Sequence, residues 1–152
     1  MEGTPKADFT LALLGGKVLK RSLPVLQGVP AVGAPPLDLK RLLLPQGELA
    51  QFHDGGDAMR YIAFVELRPG TVRGNHYHDV KKEWFYVVLG ELSLIVEDIA
   101  TRARESVPLR TGDLVVIEAG VAHALVVAAP GQGIEFSPAC FNPADTHRFP
   151  LV

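Results

Sequence analysis

The sequence predicts an all-β domain, a closed barrel or sandwich, and three observations carry that expectation. Fifteen glycines and twelve prolines punctuate 152 residues, which disfavours long helices. About ten short runs rich in β-branched and aromatic residues recur between turn signals, a spacing typical of all-β folds. No stretch supports a long helix, and no repeat of the solenoid or propeller kind is present.

Taken in order, residues 1–36 read as an irregular N-terminal extension or arm, and residues 37–152 as the β-barrel domain. Pro24, Pro30, Pro35 and Pro36 break the first segment into short apolar pieces, whose apolar content favours docking over free disorder. Leu42–Leu44 is a compact strand closed by Pro45-Gln46-Gly47, and Glu48–His53 is the next. Asp54–Asp57 is a turn by composition. Met59–Leu67 is a strand stopped by Arg68-Pro69-Gly70; His76 and His78 lie on the one after it. Glu83–Leu89 and Leu92–Glu97 read as hairpin partners reversed at Gly90-Glu91. A short strand at Ser106–Leu109 and a buried one at Leu114–Ile117 follow. His123–Ala128 and Gly133–Phe141 are the last two, before an irregular tail from Asn142 to Val152.

The totals bound the function. A chain of this length buries about 70% of its unfolded surface as one domain. A net charge of −2 with scattered basic residues gives no footprint for nucleic acid or an anionic membrane. A single cysteine, Cys140, excludes an intrachain disulfide and suits a reducing compartment. No apolar run is long enough to span a bilayer, and Leu11–Leu14 is too short for a signal core. The expectation is a cytoplasmic protein.

The chemistry concentrates in Gly70–Gly90. His76 and His78, one residue apart, point to the same face of a strand. With Glu83 they offer most of a first-row transition-metal site. His123, forty residues beyond Glu83, is the remaining candidate ligand, and a closed barrel can bring its strand across. By strand alternation Trp84 and Tyr86 face away from Glu83 and Phe85, and so pack outside the pocket. Tyr61 and Phe64 fall on opposite faces, so one of them can enter it. His53 and His147 read as solvated, and Cys140 as a small apolar core residue.

These residues carry a resemblance. Gly, five residues, His-x-His, four residues, Glu, six residues, Gly resembles the first motif of the cupins, here Gly70, His76, His78, Glu83 and Gly90. Gly112, Gly120 and His123 match the second motif, while Glu118 stands where it has proline and Val127 where it has asparagine. The resemblance covers about residues 40–140 and implies a double-stranded β-helix, the jelly-roll barrel. It also implies that His76, His78, Glu83 and His123 hold one divalent transition metal ion, among Mn, Fe, Co, Ni, Cu and Zn.

Arg73-Gly74-Asn75-His76-Tyr77-His78 and the tail Phe141–Thr146 are similar to one cupin subgroup, the sugar-nucleotide ketoisomerases and capsular-polysaccharide cupins. Arg73 is then a candidate for pairing with a substrate phosphate or carboxylate. The leading expectation is isomerase or epimerase chemistry on a sugar or sugar-nucleotide derivative. Two alternatives keep the same site: a metal-dependent dioxygenase, and a non-catalytic small-molecule binding or sensor module. The expected partners are a small-molecule substrate and a second copy of the chain in a homodimer.

Overall fold

The computed structural model describes residues 11–34 and 38–152. Twelve strands run in order: β1 (Leu11–Leu13), β2 (Val18–Ser22), β3 (Val25–Gln27), β4 (Lys40–Leu44), β5 (Gly47–Gln51), β6 (Tyr61–Leu67), β7 (Val72–Tyr77), β8 (Glu83–Asp98), β9 (Arg104–Arg110), β10 (Asp113–Ile117), β11 (Val121–Ser137) and β12 (His147–Arg148). Among the described residues there is no α-helix, and no helix is long and apolar enough to cross a membrane. Nine strands form one large sheet that closes as a jelly-roll barrel; β3, β4 and β5 form a small second sheet.

The predicted hairpin at Gly90-Glu91 is a correction. Glu83–Asp98 is one strand of 16 residues, and Val121–Ser137 is one of 17. The two pair antiparallel along nearly their whole length, with irregular register between Val127 and Gly133. Gly90 and Gly131 face each other at that bend. Gly90 has φ +137°, and a Cβ on Gly131 would sit 1.8 Å from the Leu89 carbonyl oxygen. Glycine here turns a corner in two paired strands instead of reversing one. Beyond the corner the neighbours change: β8 pairs with β10 over Glu83–Tyr86 and with β9 over Glu91–Glu97.

Strand alternation places the core on both sides of the wall. Phe85, Val87, Leu94, Val96, Val115 and Ile117 fill the interior. Trp84, Tyr86, Leu114, Val116 and Phe136 face outward, under a cover made by Leu23, Leu39, Phe52 and Met59. Phe52 stacks on Tyr86 with ring centroids 4.4 Å apart.

The described part of the N-terminal segment is not peripheral. β2 pairs with β10 from Val18↔Ile117 to Ser22↔Asp113, and Val18 is fully buried in the interior with Leu13 and Leu14. Barrel packing thus begins well before residue 37, because these apolar residues bury on the barrel of their own chain.

Candidate metal centre

The site is assembled from three strands and a loop. On β7 the register with β11 slips between His123 and Ala124, so His123 lies opposite His76 and Ala124 opposite Gly74. Asn75 is the extra residue of this bulge, and both Gly74 (φ 88°) and Asn75 (φ 56°) take left-handed backbone. A Cβ on Gly74 would lie 2.6 Å from the His123 carbonyl oxygen, so glycine is what permits the close approach. The bulge therefore aims His76 at His123, and their ring centroids are 4.8 Å apart.

His78 lies just past the end of β7. Its Nδ1 is 2.8 Å from the Asp145 carbonyl oxygen. A carbonyl can only accept, so Nδ1 carries the proton and Nε2 presents a lone pair. That Nε2 has no hydrogen-bond partner although His78 is buried. His123 repeats the arrangement, with Nδ1 3.2 Å from the Val121 carbonyl oxygen. Glu83 is the first residue of β8, pairs with Ile117 of β10, and turns inward with Phe85. Its Oε2 lies 3.0 Å from His123 Nε2 and 3.7 Å from His78 Nε2, and accepts no well-aligned hydrogen bond.

The ligand atoms of His76, His78, Glu83 and His123 all lie within 4.8 Å of one another. Three rings and a carboxylate, with His78 Nε2 and Glu83 Oε2 left without partners, fit a transition-metal ion. Anchoring the outer ring nitrogens to main-chain carbonyls is the usual support for such ligands.

Electrostatics favour His76 and Glu83 as donors, while His123 shares its charge with Glu83. Burial and the neighbouring His123 and His78 push His76 down to about 4, so its ring is neutral at pH 7. Burial would raise Glu83, but His123 and His78 beside it hold the carboxyl well below its ordinary range. Burial would lower His123, and Glu83 more than offsets that, leaving the imidazole raised.

Three further side chains complete the surroundings. Lys81, 7% exposed, has its Nζ 3.1 Å from Glu135 Oε1, 3.8 Å from Glu83 Oε1 and 4.4 Å from the centre of the Tyr61 ring. Glu135 on β11 is raised to about 7, by burial first and then by the adjacent Glu83 carboxylate. The Asp145 carboxylate accepts the main-chain N–H groups of Asp79, Val80 and Lys81 at 2.8, 3.2 and 3.0 Å, clamping the loop between His78 and Glu83. Sequence reading missed all three. A charged residue inside the apolar run Gly133–Phe136 was the available signal for Glu135; Lys81 and Asp145 lie in polar stretches and gave none.

The cluster borders two cavities. One of about 120 Å³ lies in the barrel, lined by His76, Glu83, His123, Glu135, Arg73 and apolar residues such as Phe85. The other, of about 100 Å³, shares His76 and Glu135 and adds Tyr61, Lys81 and Asp145. Tyr61 is thus the aromatic that reaches the site, while Phe64 faces outward and is 64% exposed. Arg73 stands at the rim, exposed, with Nε donating to the Glu66 carbonyl at 3.0 Å. Trp84 and Tyr86 lie on the outer face, away from both cavities. His53 packs near Phe136, and His147 pairs with Asp79 at 2.8 Å; neither joins the cluster. Cys140 is exposed rather than a core residue.

Comparison with known proteins follows this architecture. Residues 63–135 match the family model described as Cupin domain. Comparison with curated protein sequences gives no match. Among solved structures, the chain is similar to a 3,4-ketoisomerase from Helicobacter canadensis, with TM-score 0.64 and 14% identity over 73% of this chain and 86% of that one. It is also similar to a 3'-monoepimerase from Streptomyces bikiniensis in complex with dTDP-quinovose, with TM-score 0.70 and 15% identity over 90% and 71%. A 4-keto-6-deoxy sugar epimerase from Streptomyces spheroides gives TM-score 0.68 and 16% identity over 96% and 76%.

Proposed function

We propose that this chain, whose residues 63–135 match the cupin domain, is a metal-dependent isomerase or epimerase. Its substrate would be a keto-sugar or sugar-nucleotide derivative. The observation that carries the reading is the convergence of half-buried His76 with buried His78, Glu83 and His123 within 4.8 Å, with no partner for His78 Nε2 or Glu83 Oε2. These four residues would hold one divalent first-row ion. Bound there, the ion supplies Lewis acidity to a substrate carbonyl and so eases removal of the proton on the neighbouring carbon.

The protein's own groups supply the rest. Glu135 lines both cavities and stands beside the cluster without belonging to it, so its carboxylate is placed to take and return the proton. Lys81 balances the charge of Glu135 and Glu83 in a buried setting. The apolar wall of Val65, Phe85 and Leu125 limits water near the reacting carbon. Arg73 at the rim offers its outer guanidinium nitrogens to a phosphate or carboxylate. The barrel cavity of about 120 Å³ suits the sugar ring, which leaves any nucleotide portion at the mouth near Arg73.

The substrate class is supported by the similar structures, whose names are those of deoxysugar ketoisomerases and epimerases. The test is exchange of solvent deuterium into a TDP-4-keto-6-deoxy sugar, followed by NMR with the protein loaded separately with Mn, Fe, Co, Ni, Cu and Zn. Metal-dependent exchange and a rearranged product support the reading. Bound metal with no exchange on any such sugar would overturn it, and oxygen uptake under the same conditions would point to a dioxygenase.

A further inference from the structure

β6 is the outermost strand of its part of the barrel, paired with β11 on one side and with no other described strand. Two cross-strand rows run over the outer face of this wall. One is Val116, Trp84, Phe136 and Ile62; the other is Leu114, Tyr86, Ile134 and Phe64. The first three residues of each row pack beneath the cover that includes Phe52 and Met59. The cover stops before β6. Ile62 is 69% exposed and Phe64 64%, so each row ends in water on a large apolar side chain.

The same outward face carries charge at both ends. Arg60 and Glu66 are exposed and flank Ile62 and Phe64 at alternate positions. Glu66 is tied only to the exposed Arg68 at 3.3 Å, a pairing of little strength. The pattern Arg60, Ile62, Phe64, Glu66 is self-complementary about Ala63. An antiparallel two-fold match sets Ile62 of one copy against Phe64 of the other, and Arg60 against Glu66 at both ends. Main-chain geometry allows the match at Ile62 and Phe64, while the Arg60 N–H is given to the Ser137 carbonyl of β11 at 2.9 Å. The Glu66 carbonyl turns away from β11 to accept from Arg73 Nε, and by strand alternation the N–H and C=O groups of Ile62 and Phe64 point the same way.

We infer that the outer edge of β6 is the docking surface for a second copy of this chain, paired antiparallel about Ala63. The partner continues both apolar rows and joins two Arg60–Glu66 pairs across the two-fold axis.

The test is the mass of the full chain in solution, by light scattering and sedimentation equilibrium. The wild type should weigh twice 16.4 kDa. Phe64→Glu should be a monomer with an unchanged circular dichroism spectrum. Arg60→Glu should weaken the dimer by about tenfold or more, since it sets like charges together at both ends. The double variant Arg60→Glu/Glu66→Arg should restore wild-type association, a result that loss of folding cannot imitate. A monomeric wild type, a dimer that survives Phe64→Glu, or a charge swap that fails to rescue Arg60→Glu would each overturn the assignment.

Discussion

Among the described residues, two groups of side chains have metal-ligand composition and lie side by side. One is His76, His78, Glu83 and His123; the other is Asp79, Asp145 and His147. In both, a histidine Nε2 approaches a carboxylate, at 3.0 Å for His123–Glu83 and 2.8 Å for His147–Asp79. What separates them is burial and prior commitment. His78, Glu83 and His123 are each 5–6% exposed. The Asp79 side chain is 64% exposed, and three main-chain N–H groups already occupy the Asp145 carboxylate. Residue type alone does not make a site. A site needs buried donors that the fold has left without partners, and the exposed group is better read as the clamp that holds the buried one.

The largest effect that would break this comparison comes from the buried group. His78→Ala or His123→Ala should remove measurable metal binding, a loss greater than the roughly 10–100-fold expected for an orienting partner. Titration of the variants with Mn, Co or Zn checks it. Next, Glu135→Gln should leave metal content unchanged and lower turnover by about 100-fold or more, as expected for a lost general base. Equal losses of metal and turnover would instead make Glu135 part of the ligand set.

Asp145→Ala should weaken metal binding by about tenfold, the low end for an outer partner, because the main-chain carbonyl that holds His78 remains. A smaller effect is expected of Asp79→Asn with His147→Gln, where metal stoichiometry should not change. The smallest is a pH effect. Burial opposes ionisation of Asp145, but the N–H groups of Asp79, Lys81 and Val80 hold its carboxyl below the ordinary value. A lowered carboxyl stabilises the fold above its unfolded-state value and loses that contribution as pH falls through the folded one. The clamp should therefore persist at pH 5, and loosening of the 79–82 loop should be seen only below about pH 4, by hydrogen exchange.

Much of this was legible in the sequence, and the gaps have physical causes. The short runs and turn signals specify an all-β barrel, and alternation along Glu83–Leu89 sorts Glu83 and Phe85 from Trp84 and Tyr86 correctly. The motif spacing picks out four residues that the fold does bring together. The corner at Gly90 reads as a hairpin in the sequence because a left-handed glycine serves a bend and a reversal equally well. What decides between them is Gly131 on a strand far away in sequence. The N-terminal strands escaped notice because they are short and interrupted: Leu14–Gly16 breaks β1 from β2, and Pro24 separates β2 from β3. Lys81, Glu135 and Asp145 acquire meaning only through neighbours that local patterns do not encode.

On the proposed function, one metal ion would sit on the buried group. Elemental analysis of the metal-reconstituted protein, beside its His78→Ala variant and the Asp79→Asn/His147→Gln double variant, tests it most directly. One ion per chain is expected in the wild type and the double variant, and none in His78→Ala. An ion retained by His78→Ala but lost from the double variant, or none bound by the wild type, would contradict it.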